Sequence, residues 1–167
     1  MRKGAVPPTD DAELVLYRLM LVSGFVSAEF ARRFGRHRLA LPDWRVLLEL
    51  HREGADTAAD IARRTGLTAM TVSRSVATLL GQRRVQRTTD PADARRRLLA
   101  LTPRGRAVIA RVLPEGEALA HALLQEVPPA RRAALAEALG AMLDAARRGA
   151  DAGVRSRTDR PPARRAS

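Results

Sequence analysis

Cysteine is absent from this chain of 167 residues. That excludes a disulfide framework and a thiol-based redox switch, and it agrees with a cytoplasmic location. Aromatic residues make up only 3% of the sequence, so a core must come from Leu, Val and Ala, which suits helices better than a β-sandwich. No phosphate-cradling Gly loop, nucleophile elbow or paired metal motif occurs, and the chain reads as a non-enzyme without cofactor or metal. His37, His51 and His121 are scattered over separate segments. Against a metal site of His51 with Asp56 or Asp60 stands the commoner fate of a lone His, which is to be solvated or packed. Residues Met1 to Asp10 carry Pro7-Pro8 and lack the apolar stretch of a signal peptide; they read as a flexible arm. Acidic residues are in the minority, 18 against 30 Lys and Arg, and the net charge of +12 makes a polyanion the leading partner class. An anionic membrane is the rival, but no segment combines a lipid-facing amphipathic helix with aromatic anchors.

What is present is concentrated between Leu67 and Leu101. Thr68 can accept from the free amide of Thr71 and start a helix, with Leu67 and Val72 as a hydrophobic staple. Val72, Val76, Leu79 and Leu80 then fall on one helical face. Met70, Thr71, Arg74 and Thr78 fall on the other and are free to touch a partner. A guanidinium bonds a guanine edge at two points and a Thr methyl packs on thymine, so Arg74 is the first candidate for base reading. The competing reading is an ordinary amphipathic helix with a solvated face. The preceding segment decides between them. Thr57 caps a short helix with Asp60 near its positive end, Ala58, Ile61 and Ala62 can face a core, and Gly66 tolerates positive φ at the stop. Helix, tight Gly turn and helix make a helix-turn-helix.

Val85-Gln86-Arg87-Thr88 and Arg97-Leu98-Leu99-Ala100-Leu101 flank the turn chemistry of Asp90-Pro91-Ala92-Asp93. They can pair as a hairpin, although their weak alternation leaves the register open. Arg95 falls near the tip, where it can enter a narrow minor groove. Asp93 would be repelled by phosphate and reads as a partner that aims the Arg95 guanidinium. The plainer reading of this hairpin is a solvated basic loop.

Around this unit lie apolar helices. Asp11 to about Arg36 predicts one long helix, with Leu14, Tyr17, Leu21, Phe25 and Ala28 along one side and Val15, Leu19, Val22 and Val26 along another. A helix apolar on most sides is covered by neighbours, and a second copy of the chain is the natural cover. Arg18, Glu29 and Arg32-Arg33 interrupt or bound the run, which reads against a membrane span. Leu41-Pro42 opens a helix whose Trp44, Leu47, Leu48 and His51 share a face and which Gly54 ends. Trp44 reads as core packing, with the wall of a ligand pocket as the alternative. Thr102-Pro103 starts a third long helix to about Val127, which Pro114 must kink or break. After Pro128-Pro129 a last helix carries Leu135, Leu139, Met142 and Leu143 and closes at Arg147-Arg148. From Gly149 no apolar period survives, and residues 149–167 read as a disordered basic tail, either adding phosphate affinity or without a role.

The segment from Leu41 to Gly105 resembles the DNA-binding domain of the MarR family of bacterial transcription regulators. The residues that carry the resemblance are Ala59-Asp60-Ile61-Ala62, Gly66-Leu67-Thr68, Thr71-Val72-Ser73-Arg74, Asp90-Pro91-Ala92-Asp93-Ala94-Arg95 and Leu101-Thr102-Pro103-Arg104-Gly105. The resemblance implies a mainly α fold with a small β-hairpin wing. Residues 11–148 would form one MarR-type domain, with 41–103 as the winged helix lobe and 11–36 and 104–148 as dimerisation helices. It implies a homodimer on a palindromic operator of double-stranded DNA, as a repressor released by a small aromatic acid. Asp93 and Arg95 match the family's wing pair, and Arg74 matches a recognition-helix contact. The candidate DNA contacts are Thr68, Met70, Thr71, Ser73, Arg74, Thr78, Arg95 and Arg96; Arg18, Trp44 and Arg45 are candidates for the ligand pocket. The alternative function is a sequence-neutral architectural DNA-binding protein. Two departures stand out. Arg83-Arg84 occupies the place of the family's Gly and hydrophobic residue, which predicts a reshaped helix end and two extra cations near the phosphates. Ala94 replaces a residue that is often basic, which takes one cation from the backbone contacts.

Overall fold

The computed structural model describes residues 10–90, 92–93 and 95–158. Helix α1 spans Asp11–Phe34; Asp10 caps it by accepting from the Ala12 amide at 3.3 Å. Its last turns are basic, and Glu29 accepts from both Arg32 and Arg33. Those three bonds hold the Glu29 carboxyl at about 2. A 3₁₀ turn over Gly35–His37 and a left-handed Arg38 (φ 51°) redirect the chain into α2, Leu41–Glu53. The expected first helix therefore ends slightly early. Arg36 Nη2 (2.6 Å) and His37 Nε2 (3.2 Å) tie this turn to Glu115.

Helix α3 spans Ala58–Thr65 and α4 spans Ala69–Gly81. Strands β1, Val85–Thr89, and β2, Arg97–Leu101, pair antiparallel with Val85 opposite Leu101 and Thr89 opposite Arg97. Asp56 adds a short bridge to β2, exchanging backbone bonds with Leu99 at 3.0 and 2.7 Å. Helix α5 spans Pro103–Leu124 and α6 spans Pro129–Thr158.

The core lies where α2, α3, α4, the hairpin base and the first half of α5 converge. Phe34, Leu47, Ile61, Leu79 and Val112 are fully buried there. Phe34 stacks on Trp44 with ring centroids 6.3 Å apart and planes within 7°, and Phe30 closes on Phe34 at 4.1 Å. Three of the chain's five aromatics are thus spent on the joint between α1 and α2. Truncating Phe34 to Ala would cost about 3–5 kcal/mol at such a site.

Several expectations need correction. The buried face of α2 is Trp44, Val46, Leu47 and Leu50, and His51 is exposed. The helix keeps its 3.6-residue period, but its neighbours lie on the Leu47–Leu50 side. Ala58 is also exposed. Helix α5 runs through Pro114 unbroken. Helix α6 continues to Thr158, through part of the stretch expected as a disordered tail. Ala and Arg are good helix formers, and a helix already started needs no apolar period to propagate. Residues 159–167, most of the N-terminal arm and the Ala94 contact lie outside the described residues.

Helix α1 and the terminal helices leave large apolar side chains bare. Met20 is 65% and Phe25 74% exposed, and Leu123, Leu139 and Leu143 are uncovered as well. The segment Asp11–His37 is also long and apolar enough to cross a membrane.

Candidate nucleic-acid interface

The helix-turn-helix is set by three local devices. Thr57 Oγ1 accepts from the Asp60 amide at 3.1 Å and starts α3. Gly66 (φ 69°) ends α3 in the left-handed conformation, with its amide bonded to Ala62 O. Thr68 Oγ1 accepts from the Thr71 amide at 3.1 Å and starts α4. Between α2 and α3, Arg64 donates to both Glu49 and Asp56, while Asp56 also accepts from the Thr57 amide at 2.8 Å. This partly buried bridge ties the end of α3 to α2 and to the loop between them.

On α4 the inward face is Val72, Ser75, Val76 and Leu79. Met70, Ser73, Arg74 and Thr78 all point to solvent, and Thr71 is half-buried. Thr68 is exposed, but its hydroxyl is already engaged by Thr71, through both the amide and Oγ1. One face of α4 therefore presents a guanidinium, two hydroxyls and a thioether. Between α4 and the hairpin runs a groove of about 670 Å³, lined by Ser73, Val76, Arg87, Thr88 and Arg97 among others. Arg87 and Arg97 were missed in the sequence. They sit on strands of weak alternation, and only the cross-strand register places them beside the helix.

The wing differs from expectation in its wiring. Asp93 Oδ1 accepts from the backbone amide of Arg95 at 2.9 Å, rather than from its guanidinium. A short Asp side chain favours the amide two residues on, and this closes the turn locally. Asp93 thus shapes the backbone that carries the exposed Arg95. The neighbouring Arg96 is the clamped residue: it reaches Asp90 Oδ2 at 3.1 Å and Asp60 Oδ2 at 3.4 Å, joining the hairpin to α3. Thr57 donates to the Asp60 carboxylate and Arg63 adds a second bond, and these hold that carboxyl below the usual carboxylate range.

The departure at Arg83-Arg84 also resolves differently. The Arg83 amide bonds Leu80 O and the Arg84 amide bonds Leu79 O, each at 2.9 Å. This is the paired closure of a Schellman motif, with Arg83 at the left-handed position (φ 54°) that Gly usually takes. The helix end is therefore kept rather than reshaped. Arg84 turns inward to 8% exposure and donates to His37 O at 2.6 Å and Arg38 O at 3.3 Å. Desolvation lowers its pKa. Its guanidinium faces the turn after α1 rather than the open face of α4.

Of the ligand-pocket candidates, Trp44 is committed to ring packing, while Arg18 and Arg45 are exposed on separate helices.

Residues 39–96 match the model of the MarR family. No curated protein matches the chain. Among solved structures, a MarR family transcriptional regulator from Silicibacter pomeroyi DSS is 26% identical, with a TM-score of 0.76 over 85% of this chain and 97% of that one. BpsR of Bordetella bronchiseptica, whose DNA binding is regulated by 6-hydroxynicotinic acid, is 27% identical, with a TM-score of 0.70 over 77% of this chain and 98% of its own. The transcriptional regulator BldR of Sulfolobus solfataricus shares the fold at 22% identity and a TM-score of 0.74, over 83% of this chain and 99% of that one. With the capped helix-turn-helix, the clamped hairpin and the flanking helices all in place, residues 39–96 match the MarR family and the chain as a whole has the winged helix-turn-helix fold of MarR family transcriptional regulators.

Proposed function

We propose that this chain acts as a homodimeric repressor on a palindromic operator in the cytoplasm. Two recognition helices enter successive major grooves about 10 bp apart, and each wing reaches the flanking minor groove. Arg74 reads a base edge, Met70, Ser73 and Thr78 pack beside it, and Thr68 and Thr71 meet the backbone at the start of α4. Arg95 enters the minor groove, and Arg96 holds the hairpin on α3 so that Arg95 has a fixed aim. The observation that carries the reading is that polar face of α4, exposed beside a clamped hairpin. The bare apolar side chains of α1 and α6 support the pairing.

Release by a small aromatic acid is the finer part of the reading. Its support is the ligand response of BpsR and the exposed Arg18 and Arg45, either of which could take a carboxylate. Such a ligand acts by favouring a lobe spacing that no longer fits the groove repeat.

The test is selection of genomic duplex by the purified chain at physiological salt, followed by competition with random duplex. A preference of about a hundredfold or more is expected, and a preference below about tenfold would favour the architectural reading. Arg74→Ala should relax the preference at one base position by about 1–3 kcal/mol. Arg95→Ala should weaken binding, with most of the loss at sites with a narrow flanking groove.

A further inference from the structure

Five arginines line one cleft of about 470 Å³: Arg36, Arg38, Arg84, Arg104 and Arg111. The cleft lies between the 3₁₀ turn, the turn that follows α4 and the first turns of α5. Its remaining wall is His37, Ala107 and Val108, with no carboxylate among them. Glu115 meets its edge, paired with the lining residues Arg36 at 2.6 Å and His37 at 3.2 Å. Adjoining it, a second cleft of about 340 Å³ shares Arg38, Arg84 and Arg104 and adds Arg83.

Within the first cleft Arg84 is 8% exposed, and its Nε has no hydrogen-bond partner among the described residues. Burial opposes its charge, as does repulsion by Arg104 and Arg38, while the carboxylate of Asp43 favours it. An arginine does not shed its proton to relieve such crowding, and Asp43 and Glu115 are only two carboxylates against five guanidinium groups, so a further anion is favoured. The planar forks of several guanidinium groups match phosphate and carboxylate oxygens two at a time. The wall offers little apolar surface for an aromatic ring.

The DNA face is elsewhere. A recognition helix reads bases with its N-terminal part. Arg84 follows the C-terminal end of α4, whose 13 residues make it about 20 Å long.

We infer that this cleft binds a compact anion carrying two or more charges on phosphate or carboxylate groups, at a site separate from the DNA face. Occupancy joins the end of α1, the end of the recognition helix and the start of α5 through one ligand.

The test is titration calorimetry on the full chain at about 0.15 M salt, where weak surface attraction is screened. Pyrophosphate and citrate are the two probes, one for each source of oxyanion, and benzoate is the singly charged aromatic control. One or both polyanions should bind and benzoate should not. Arg104→Ala with Arg111→Ala should weaken binding by about tenfold or more, since each removes a charge-assisted bond. Both side chains are exposed, and the single variants Arg104→Gln and Arg111→Gln, each expected to lose about threefold or more, cover a failure of the pair to fold. Duplex affinity of these variants should stay within about threefold, while Arg74→Ala should lose duplex preference and keep the anion. The inference falls if neither polyanion binds, if the arginine variants bind as the parent does, or if those variants lose duplex as steeply as Arg74→Ala. That last result would make the cleft a phosphate-backbone contact.

Discussion

A Cβ placed on Gly105 would stand 2.1 Å from the carbonyl oxygen of Arg84. The approach is that close because Thr102 grips the same turn. Its amide bonds Arg84 O at 3.0 Å, its hydroxyl donates to Arg83 O at 2.7 Å, and that hydroxyl also accepts from the Gly105 amide at 3.0 Å. The Leu-Thr-x-x-Gly signature is therefore the weld between the recognition helix and α5. Gly105→Ala should destabilise the chain by about 3 kcal/mol, lowering Tm on the order of 6–12 °C in a thermal melt. An unchanged melt would mean that the backbone slides apart freely.

Arg83→Gly should do the opposite. The left-handed backbone costs a side-chain-bearing residue about 1 kcal/mol, partly offset by the extra freedom glycine has when unfolded. A net gain of about 0.5 kcal/mol in urea unfolding is expected, without change of slope. A loss would show that the exposed Arg83 side chain makes a contact worth more than the strain.

Arg96→Ala should loosen the wing without unfolding the lobe. Its two carboxylate partners are on Asp60 and Asp90, and the guanidinium is half exposed, so the pairs together are worth about 1 kcal/mol. Amide exchange at Thr88, Thr89 and Arg97 should rise by about fivefold, with global Tm nearly unchanged. Equal exchange in parent and variant would remove the clamp from the account.

The same clamp carries a pH signature. The Asp60 carboxyl titrates below its ordinary value because Thr57 and then Arg63 hydrogen-bond its charged form. Its stabilising contribution is therefore complete above the ordinary Asp value, about 3.9, and is lost as pH falls through the lower folded value. The stability difference between the parent and Asp60→Asn should be flat near neutrality and shrink below about pH 4. A difference that grew with acidity would reverse the assignment.

Leu21→Glu with Phe25→Glu should leave the lobe folded and the chain monomeric. Both side chains are exposed in a single copy, at 45% and 74%. Sedimentation velocity should show the loss of a dimer. A double variant that still pairs would place the interface elsewhere.

Much of this architecture was legible from local chemistry. Thr57, Thr68 and Thr102 each announced a helix start, and all three cap through a hydroxyl to the amide three residues on. Gly66 announced a stop. The apolar period of α4 named its buried face. What was hidden depends on long-range meetings. Arg96 reaches a carboxylate 36 positions away, and Arg84 reaches a carbonyl 47 positions away. No spacing rule sees those pairs. The inward turn of Arg84 was the least visible, since the sequence offers an arginine where a hydrophobic residue would ordinarily pack. The reach of α6 was missed for a different reason: apolar periodicity reports burial, and a helix needs none to continue.

Helix α5 belongs to both halves of the molecule. Its early turns sit in the lobe through Ile109 and Val112, and its later turns carry the uncovered Leu123 and Leu124. Pro114 lies between them and has no amide hydrogen, so the carbonyl of Ala110 lacks its usual helical donor. The rod is thus softest at a single carbonyl. A tilt of the winged-helix half against the arm half meets its lowest resistance there, and in the proposed dimer one missing hydrogen atom would be the pivot for the distance between the two lobes.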